Sequence, residues 1–368
     1  MFPISVLSTL DPLLRDVACL CLVDEIDILT CDLTEDSVIL CFTSSDGAGW
    51  QREFPLAHPC ITCSLREAVV PTLRALAAET DPPRNGVVLA LPVAVEPLNV
   101  MPVLEDLTAD GEALEECVLT RCVHALDLST AVEDLLHHVP LKELGLALFD
   151  EDERCTGEVL MSSVGYADIV ATVGQGAAVS GLGAERGADL ASDLVEHLRA
   201  LDTLRVEGLG ALSRNLLTGG RHDSDTAIAR IHPASTSAWG GPTTHGVWTL
   251  DLHSKRPLHP VRLAERIGEL SIEGTCARGC FWLPSRPTAV CTWEVNGGSV
   301  SVGTAGEWEG EAFTHIIVTG VGDSATRTRI ETSFREMLMT PAEMGHALDW
   351  IDVDDGLSAW FPVESPFS

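Results

Sequence analysis

The sequence predicts an α/β domain built on a parallel sheet, followed by a smaller α+β domain, and three features of the 368-residue chain carry that expectation. Short apolar runs alternate with helical patterns through the first half, the order that produces a parallel sheet with helices on both faces. Residues 217–242 are rich in Gly, Ser, Thr and His and show no apolar periodicity, which reads as a linker. Beyond residue 246, strands follow one another through turn signals. The expected division is a first domain over 1–216, a linker over 217–245 and a second domain over 246–368.

In the first domain, residues 4–7, 27–32, 38–43, 86–91, 119–126 and 169–173 read as strands. Leu65, Val69, Leu73 and Leu76 recur near helical spacing and predict a helix over 65–79, and a long helical stretch is expected over 188–204. In the second domain, 246–253 alternates as a strand and 260–270 is a helix with Leu263, Ile267 and Leu270 inward. Strands are expected over 276–283, 288–295 and 299–302, the last two joined by the hairpin signal Asn296-Gly297-Gly298. A strand over 315–321 and a helix over 325–338 follow. Thr340-Pro341-Ala342-Glu343 then combines an N-cap, a first-turn Pro and a capping-box Glu.

An apolar content of 45% is enough to build real cores. The formal charge of −32, from 55 acidic and 23 basic residues, argues against an unassisted nucleic-acid binder, whose affinity comes from Lys and Arg on phosphate. Partners are expected to be proteins, cations or small molecules. The N-terminus lacks the basic region and cleavage site of a secretory signal, and no segment supplies the roughly 18–20 apolar residues of a membrane span, so a cytoplasmic, membrane-free protein is expected. Its twelve cysteines should then be reduced; Cys19, Cys21, Cys31, Cys41, Cys117 and Cys122 look like small core hydrophobes.

The chemistry concentrates in His58-Pro59-Cys60-Ile61-Thr62-Cys63-Ser64-Leu65-Arg66-Glu67. A C-x-x-C pair presents two thiolates from a single turn, as a tetrahedral zinc site requires. A redox pair and two buried cysteines are the other readings of that spacing. His58 is a candidate third ligand, with a plain loop histidine as its alternative; the fourth position falls to water, Asp32, Glu35 or a partner's side chain. Cys276 and Cys280 on one strand would stand roughly 13 Å apart and are read as core. His137, His138 and residues 222–225 are read as solvated and given no role. Asp349, Asp352, Asp354 and Asp355 form an acidic run beside Trp350 and Trp360, read as a solvated face or a partner surface. No Ser-His-Asp or paired-carboxylate constellation stands out.

Three segments carry a family resemblance. Cys60-Ile61-Thr62-Cys63-Ser64-Leu65-Arg66 resembles G-C-x-C-C-T/S-L-R, with Thr62 for the middle cysteine and Pro59 for the glycine. Asp32-Leu33-Thr34-Glu35 resembles N-D/E-x-x-E. Arg256-Pro257-Leu258-His259-Pro260-Val261-Arg262-Leu263, Arg278-Gly279-Cys280-Phe281-Trp282-Leu283, Gly297-Gly298 and Gly306-Glu307-Trp308 form an ordered series. Together they resemble the CobW family of P-loop metallochaperones. The departures matter as much. Where the family has G-x-x-x-x-G-K-S/T, this chain has Ser8-Thr9-Leu10-Asp11-Pro12-Leu13-Leu14-Arg15, without glycine or lysine. The E-S-T-G segment reads Ala90-Leu91-Pro92-Val93 ahead of a matching Glu96-Pro97, and N-K-x-D is replaced near Asp168-Ile169-Val170-Ala171. A glycine-rich run over 174–183 lacks the G-K of a substitute phosphate loop.

The resemblance implies a degenerate P-loop NTPase-like domain joined to a CobW C-terminal-like domain. It also implies an exchangeable zinc on Cys60, Cys63 and His58, no bound GTP, and a role in metal homeostasis through a protein partner. That partner would be a client metalloprotein, a ribosomal protein or a hibernation factor, because actinobacterial-type C-x-x-C members resemble zinc-responsive factors that recruit a hibernation factor to ribosomes under zinc limitation. The rival implication is a GTP-dependent metallochaperone that delivers zinc or cobalt to a client enzyme.

Overall fold

Eight strands form the first sheet: β1 (Phe2–Thr9), β2 (Asp27–Leu33), β3 (Ser37–Thr43), β4 (Gly49–Pro55), β5 (Val87–Ala90), β6 (Cys117–Asp127), β7 (Ile169–Val173) and β8 (Leu204–Glu207). The computed structural model describes residues 1–58, 60–79, 85–174, 184–351, 353–358 and 360–361. The order β4-β3-β2-β5-β1-β6-β7-β8 is parallel from β2 to β8, with β3 and β4 added antiparallel at one edge. A parallel pair needs a crossover of a dozen or more residues. The turn between β2 and β3 is far shorter, closed by Thr34 N–H on the Ser37 carbonyl at 2.9 Å, so β3 returns antiparallel and the sheet is mixed.

β1 runs through the middle, with Ile4, Val6 and Leu7 no more than 1% exposed. Successive strand residues face opposite ways. Leu7, Val88, Val123, Ala125 and Ile169 meet Leu14, Ala18 and Leu22 of the helix Pro12–Leu22 on one face, while Ile4 and Val6 are buried on the other.

β4 and β8 are absent from the sequence reading because each is an edge strand with little to bury. The centre of β4 is Gln51-Arg52-Glu53, all exposed, and it is held by its pairing with β3 and by Trp50 stacked on Phe42 at 5.6 Å. The helix expected over 188–204 is Ala184–Leu198, and the chain then turns at Ala200–Thr203 into β8.

The expected linker is structured. Helices Arg214–Thr218 and Ser224–Ile231 lie within or across it, Leu217 joins the first core, and Ala227 is buried. Both helices are too short for a periodic apolar pattern. The compact units also differ from the expected division: one holds Met1–Ala131, Pro140–Ala188 and Arg199–Arg230, the other Val132–Val139, Asp189–Leu198 and Ile231–Ser368. Side chains explain part of this. His197 places Nδ1 2.8 Å from Thr249 Oγ1 and Nε2 3.0 Å from the Pro242 carbonyl, and His245 Nδ1 lies 2.9 Å from Asp193.

In the second unit, β9 (Val247–Ser254), β10 (Thr275–Leu283), β11 (Arg286–Asn296), β12 (Ser299–Glu307) and β13 (Thr314–Val321) form an antiparallel sheet in the order β12-β11-β10-β13-β9. Helices Pro260–Arg266 and Ser324–Met337 bury Leu263, Ile330 and Phe334 in a core with Phe281 and Trp293. Asn296 pairs with Ser299 across Gly297-Gly298, whose φ values of 58° and 85° are those of a type I′ turn. The capping box at Thr340 and Glu343 forms as its residues predict. Cys276 and Cys280 are fully buried, and burial raises their thiol pKa values to about 12 and about 11.

The acidic run is not uniformly solvated. Asp349 and Asp354 are exposed and Asp352 lies outside the described residues, but the Asp355 side chain is 2% exposed. It pairs with Arg286 and accepts from Ser285 Oγ at 2.6 Å and Leu357 N–H at 3.0 Å, while Leu357 and Phe361 enter the core. Burial alone would raise this carboxyl's pKa; the Ser285, Leu357 and Arg286 contacts outweigh it and hold it below the ordinary value. Its contribution is therefore present above the unfolded pKa of about 3.9 and lost as pH falls through the lower folded value. Asp355→Asn should destabilise the second unit by about 2–4 kcal/mol at pH 7, the cost of leaving a buried partner unpaired. Urea unfolding followed by tryptophan fluorescence checks this, since Trp50 alone lies in the first unit. The gap between variant and wild type should narrow below about pH 4.

Candidate metal centre

The C-x-x-C segment follows β4 through a short anchored loop. Leu56 is buried and its N–H donates to the Asp36 carbonyl at 2.7 Å, fixing where the chain leaves the sheet edge. Cys60 is extended (φ −153°, ψ 124°) at the N-cap of the helix Ile61–Ser64, and its carbonyl accepts from Ser64 N–H at 3.0 Å and Ser64 Oγ at 2.9 Å.

That helix continues as a π-turn over Leu65–Val69 and then as α-helix Val70–Ala77, with Val70 N–H donating five residues back to Leu65. Pro71 supplies the cause. In a regular helix its ring would press on the carbonyl four residues earlier, and a widened turn relieves the clash. Leu65, Val69, Leu73 and Leu76 are nevertheless all buried, as their spacing predicts, so the cysteines sit at the start of a firmly seated helix.

The structure brings together the three predicted ligands. A ring nitrogen of His58 and the sulfurs of Cys60 and Cys63 all lie within 4.8 Å of one another, with His58 exposed and both cysteines half-buried. Around zinc, Zn–S near 2.3 Å and Zn–N near 2.0–2.1 Å put tetrahedral donors roughly 3.5–3.8 Å apart. Side-chain rotations drawing the donors in by about 1 Å would satisfy that geometry, so this soft donor set fits the metal. Asp32 and Glu35 are not in the group, which corrects their expected candidacy for the fourth position. Asp32 is instead held by Arg15 Nη1 at 2.5 Å. Among the described residues the donors number three.

The two thiols are unequal. Burial acts to raise the Cys60 pKa, but hydrogen bonds from the Cys63 and Thr62 backbone and side chains outweigh it, and the net shift is downward. Cys63 is pushed up, first by its hydrogen bond to Cys60, then by burial and the neighbouring sulfur's charge. Hydrogen bonding thus sets Cys60 apart from Cys31, whose thiol is raised to about 12 by burial and then by the Asp32 charge.

The end of β1 is organised by Asp11. Its Oδ1 accepts from Leu13 N–H at 2.7 Å and Leu14 N–H at 3.1 Å, so a carboxylate of the chain occupies the helix N-terminus, where amides otherwise hold an anion. Pro12 contributes no donor. Glu96, the residue matching the family pattern, accepts from Arg154 Nη1 at 2.9 Å, and Arg154 also clasps Asp152 through two contacts at 2.9 and 2.8 Å. Ala94, at φ 63°, offers its carbonyl to the same guanidinium at 3.2 Å. Of the glycine-rich run, Gly174 is described, at φ 92°; residues 175–183 lie outside the described residues.

The sequence reading missed one polar network. His222, expected to be solvated, is buried, with Nδ1 2.8 Å from Asp168 Oδ2 and Nε2 3.2 Å from the Tyr166 hydroxyl, which donates to Ser224 Oγ at 3.2 Å. Asp168 also accepts from Cys122 N–H at 2.8 Å, so the network ties the segment after Arg221 to the sheet. No short motif announces it, because its members are separated by 40 residues or more in sequence except for neighbours. His138 is exposed as expected, whereas His137 is half-buried, its Nδ1 3.3 Å from Glu133.

Comparison with known families matches residues 247–338 to the cobalamin synthesis protein cobW C-terminal domain. Comparison with curated proteins gives no match. Among solved structures, the zinc-bound YjiA GTPase from E. coli is similar at 11% identity and TM-score 0.35, over 91% of this chain and 98% of that one. A zinc-bound triple mutant of YjiA GTPase is similar at 12% identity and TM-score 0.37, over 92% and 99%. Among the described residues no helix is long and apolar enough to cross a membrane.

The thiol asymmetry sets a measurable order of reactivity. In metal-free protein, iodoacetamide at pH 7 should label Cys60 several-fold faster than Cys63, and the Cys60 rate should fall as pH drops because the thiolate is the nucleophile. Peptide mapping of timed reactions checks it; equal rates at the two sulfurs would contradict the hydrogen-bonding account.

Proposed function

We propose that this chain is a CobW-type zinc-binding protein that acts in metal homeostasis by docking to a protein partner, without hydrolysing GTP. The observation that carries the reading is the His58, Cys60 and Cys63 donor group at a helix start on the surface. Three donors leave a fourth position for water or a partner's side chain. Such a site exchanges its metal, whereas a closed four-ligand shell is structural.

The capping of helix Pro12–Leu22 by Asp11 supports the part of the proposal concerning nucleotide. A phosphate there would have to displace a carboxylate from Leu13 and Leu14 N–H and then face its charge, with no lysine in the segment to compensate. Glu96 is likewise neutralised by Arg154. The charge of −32 favours a basic partner, as a ribosomal protein is, over RNA itself. In this reading zinc occupancy alters the surface around Cys60 that a ribosomal protein, a hibernation factor or a client metalloprotein would meet, and recruitment of a hibernation factor responds to zinc limitation.

Competition against a chromophoric chelator should show one zinc per wild-type chain, with affinity falling as pH drops because thiols must deprotonate to ligate. Cys60→Ser and Cys63→Ser should each weaken binding by at least tenfold, and His58→Ala by less than either; equal zinc content in all four proteins removes the site. Partner pulldown with and without zinc tests the docking response, and unchanged recovery removes it. GTP with magnesium should give no heat of binding and no phosphate release. Measurable affinity and turnover would favour the rival, a GTP-dependent metallochaperone delivering zinc or cobalt.

A further inference from the structure

Beyond metal binding, we propose that Cys60 and Cys63 form a reversible disulfide by exchange with a low-molecular-weight disulfide, and that this reaction discharges the zinc. The proposal rests on the same two cysteines as the zinc reading and adds the chemistry that regulates them. Its first support is placement. Cys60 stands at the N-cap and Cys63 in the first turn of one helix, with their sulfurs within 4.8 Å, and C-x-x-C is the sequence spacing of thiol–disulfide oxidoreductase pairs. Forming an S–S bond near 2.05 Å from there needs side-chain rotation and a small backbone adjustment within one turn.

Access is the second support. Both cysteines are half-buried and their third companion, His58, is exposed, so the pair lies within reach of a small disulfide from solvent. By contrast Cys31, Cys117, Cys122, Cys155, Cys276, Cys280 and Cys291 are buried; Cys21 is exposed and Cys19 and Cys41 are half-buried like the pair, and among the described residues these three are the competitors that peptide mapping tells apart. The third support is what the pair lacks. A four-cysteine zinc shell keeps thiolates bound after losing one, but here the two sulfurs are the only thiolates in the donor group, and one S–S bond removes both.

The step balances. The Cys60 thiolate attacks one sulfur of RSSR, forming Cys60–S–S–R and expelling RS⁻. The Cys63 thiolate then attacks the Cys60 sulfur, the mixed S–S bond breaks, and a second RS⁻ leaves. The protein pair loses two electrons and RSSR gains two; the two thiolate charges leave on the two RS⁻, and Zn²⁺, having lost both sulfur ligands, is released; a dithiol reductant reverses the exchange.

The test uses the full chain in a Cys21→Ser background, metal-free and zinc-loaded, with oxidised glutathione as the probe. Non-reducing peptide mapping should find the 60–63 linkage in the metal-free protein, and a chromophoric chelator should register release of the bound zinc from the loaded protein at a matching rate, with dithiothreitol restoring both states. Cys63→Ser should stop at a persistent glutathione adduct on Cys60, because the resolving sulfur is gone. A metal-free wild type that yields no 60–63 linkage in excess oxidised glutathione overturns the switch, even if zinc binds normally. Linkage in metal-free protein with zinc retained by the loaded protein overturns the discharge. Linkage in a protein that binds no zinc at all leaves the exchange standing and sinks the zinc site instead, so the two readings fail separately.

Discussion

The placement of β1 between β5 and β6 governs the rest of the first unit. All of its central side chains are buried, and parallel pairing on both edges leaves no freedom in where it ends. The helix Pro12–Leu22 must therefore start just beyond Thr9, at the carboxyl edge of a parallel sheet, where open α/β folds place their ligands. The chain brings a carboxylate to that position. Asp11 closes the helix start with its own oxygen, Arg15 turns away to Asp32, and Glu96 is taken by Arg154. The helix start at this edge is thus occupied by a carboxylate of the chain itself.

A second helix start carries the chemistry that is exposed. Cys60 is to the helix Ile61–Ser64 what Asp11 is to Pro12–Leu22, the residue at the N-cap, but here the group is a soft thiol with a second thiol three residues on. Hydrogen bonds that favour negative charge on its sulfur would serve both the metal binding and the disulfide exchange proposed for it. Behind it, the π-turn before Pro71 accompanies a stripe from Leu65 to Leu76 that stays buried.

The second unit follows a different logic, because an antiparallel sheet with two helices on one face buries its core without crossovers. Its closure depends on charged side chains. Asp355 pins the segment that carries Leu357 and Phe361 onto β11 through Arg286, and Arg286 lies 4.3 Å from the Phe361 ring, so one guanidinium serves an ion pair and an aromatic face together. An aspartate in an acidic run is ordinarily a solubility feature; this one is structural because Ser285 and Leu357 N–H complete its hydrogen bonds.

Local pattern alone determined much of this protein. The buried strands, the helix behind the cysteines, the Gly297-Gly298 turn, the capping box at Thr340 and the approach of His58 to Cys60 and Cys63 all follow from residues within a few positions of one another. That is the range over which periodicity, capping and turn chemistry act. Tertiary structure decided what depends on distant partners. Gln51-Arg52-Glu53 becomes a strand only because β3 offers a free edge, and the supposed linker folds because Leu217 finds the first core. His222 is buried beside Asp168 and Tyr166, 54 and 56 residues away, and Asp32 is paired with Arg15, 17 residues before it. Sequence patterns record a residue's own preference, whereas burial, pairing and charge compensation belong to pairs, and the second member of each pair is chosen by the fold.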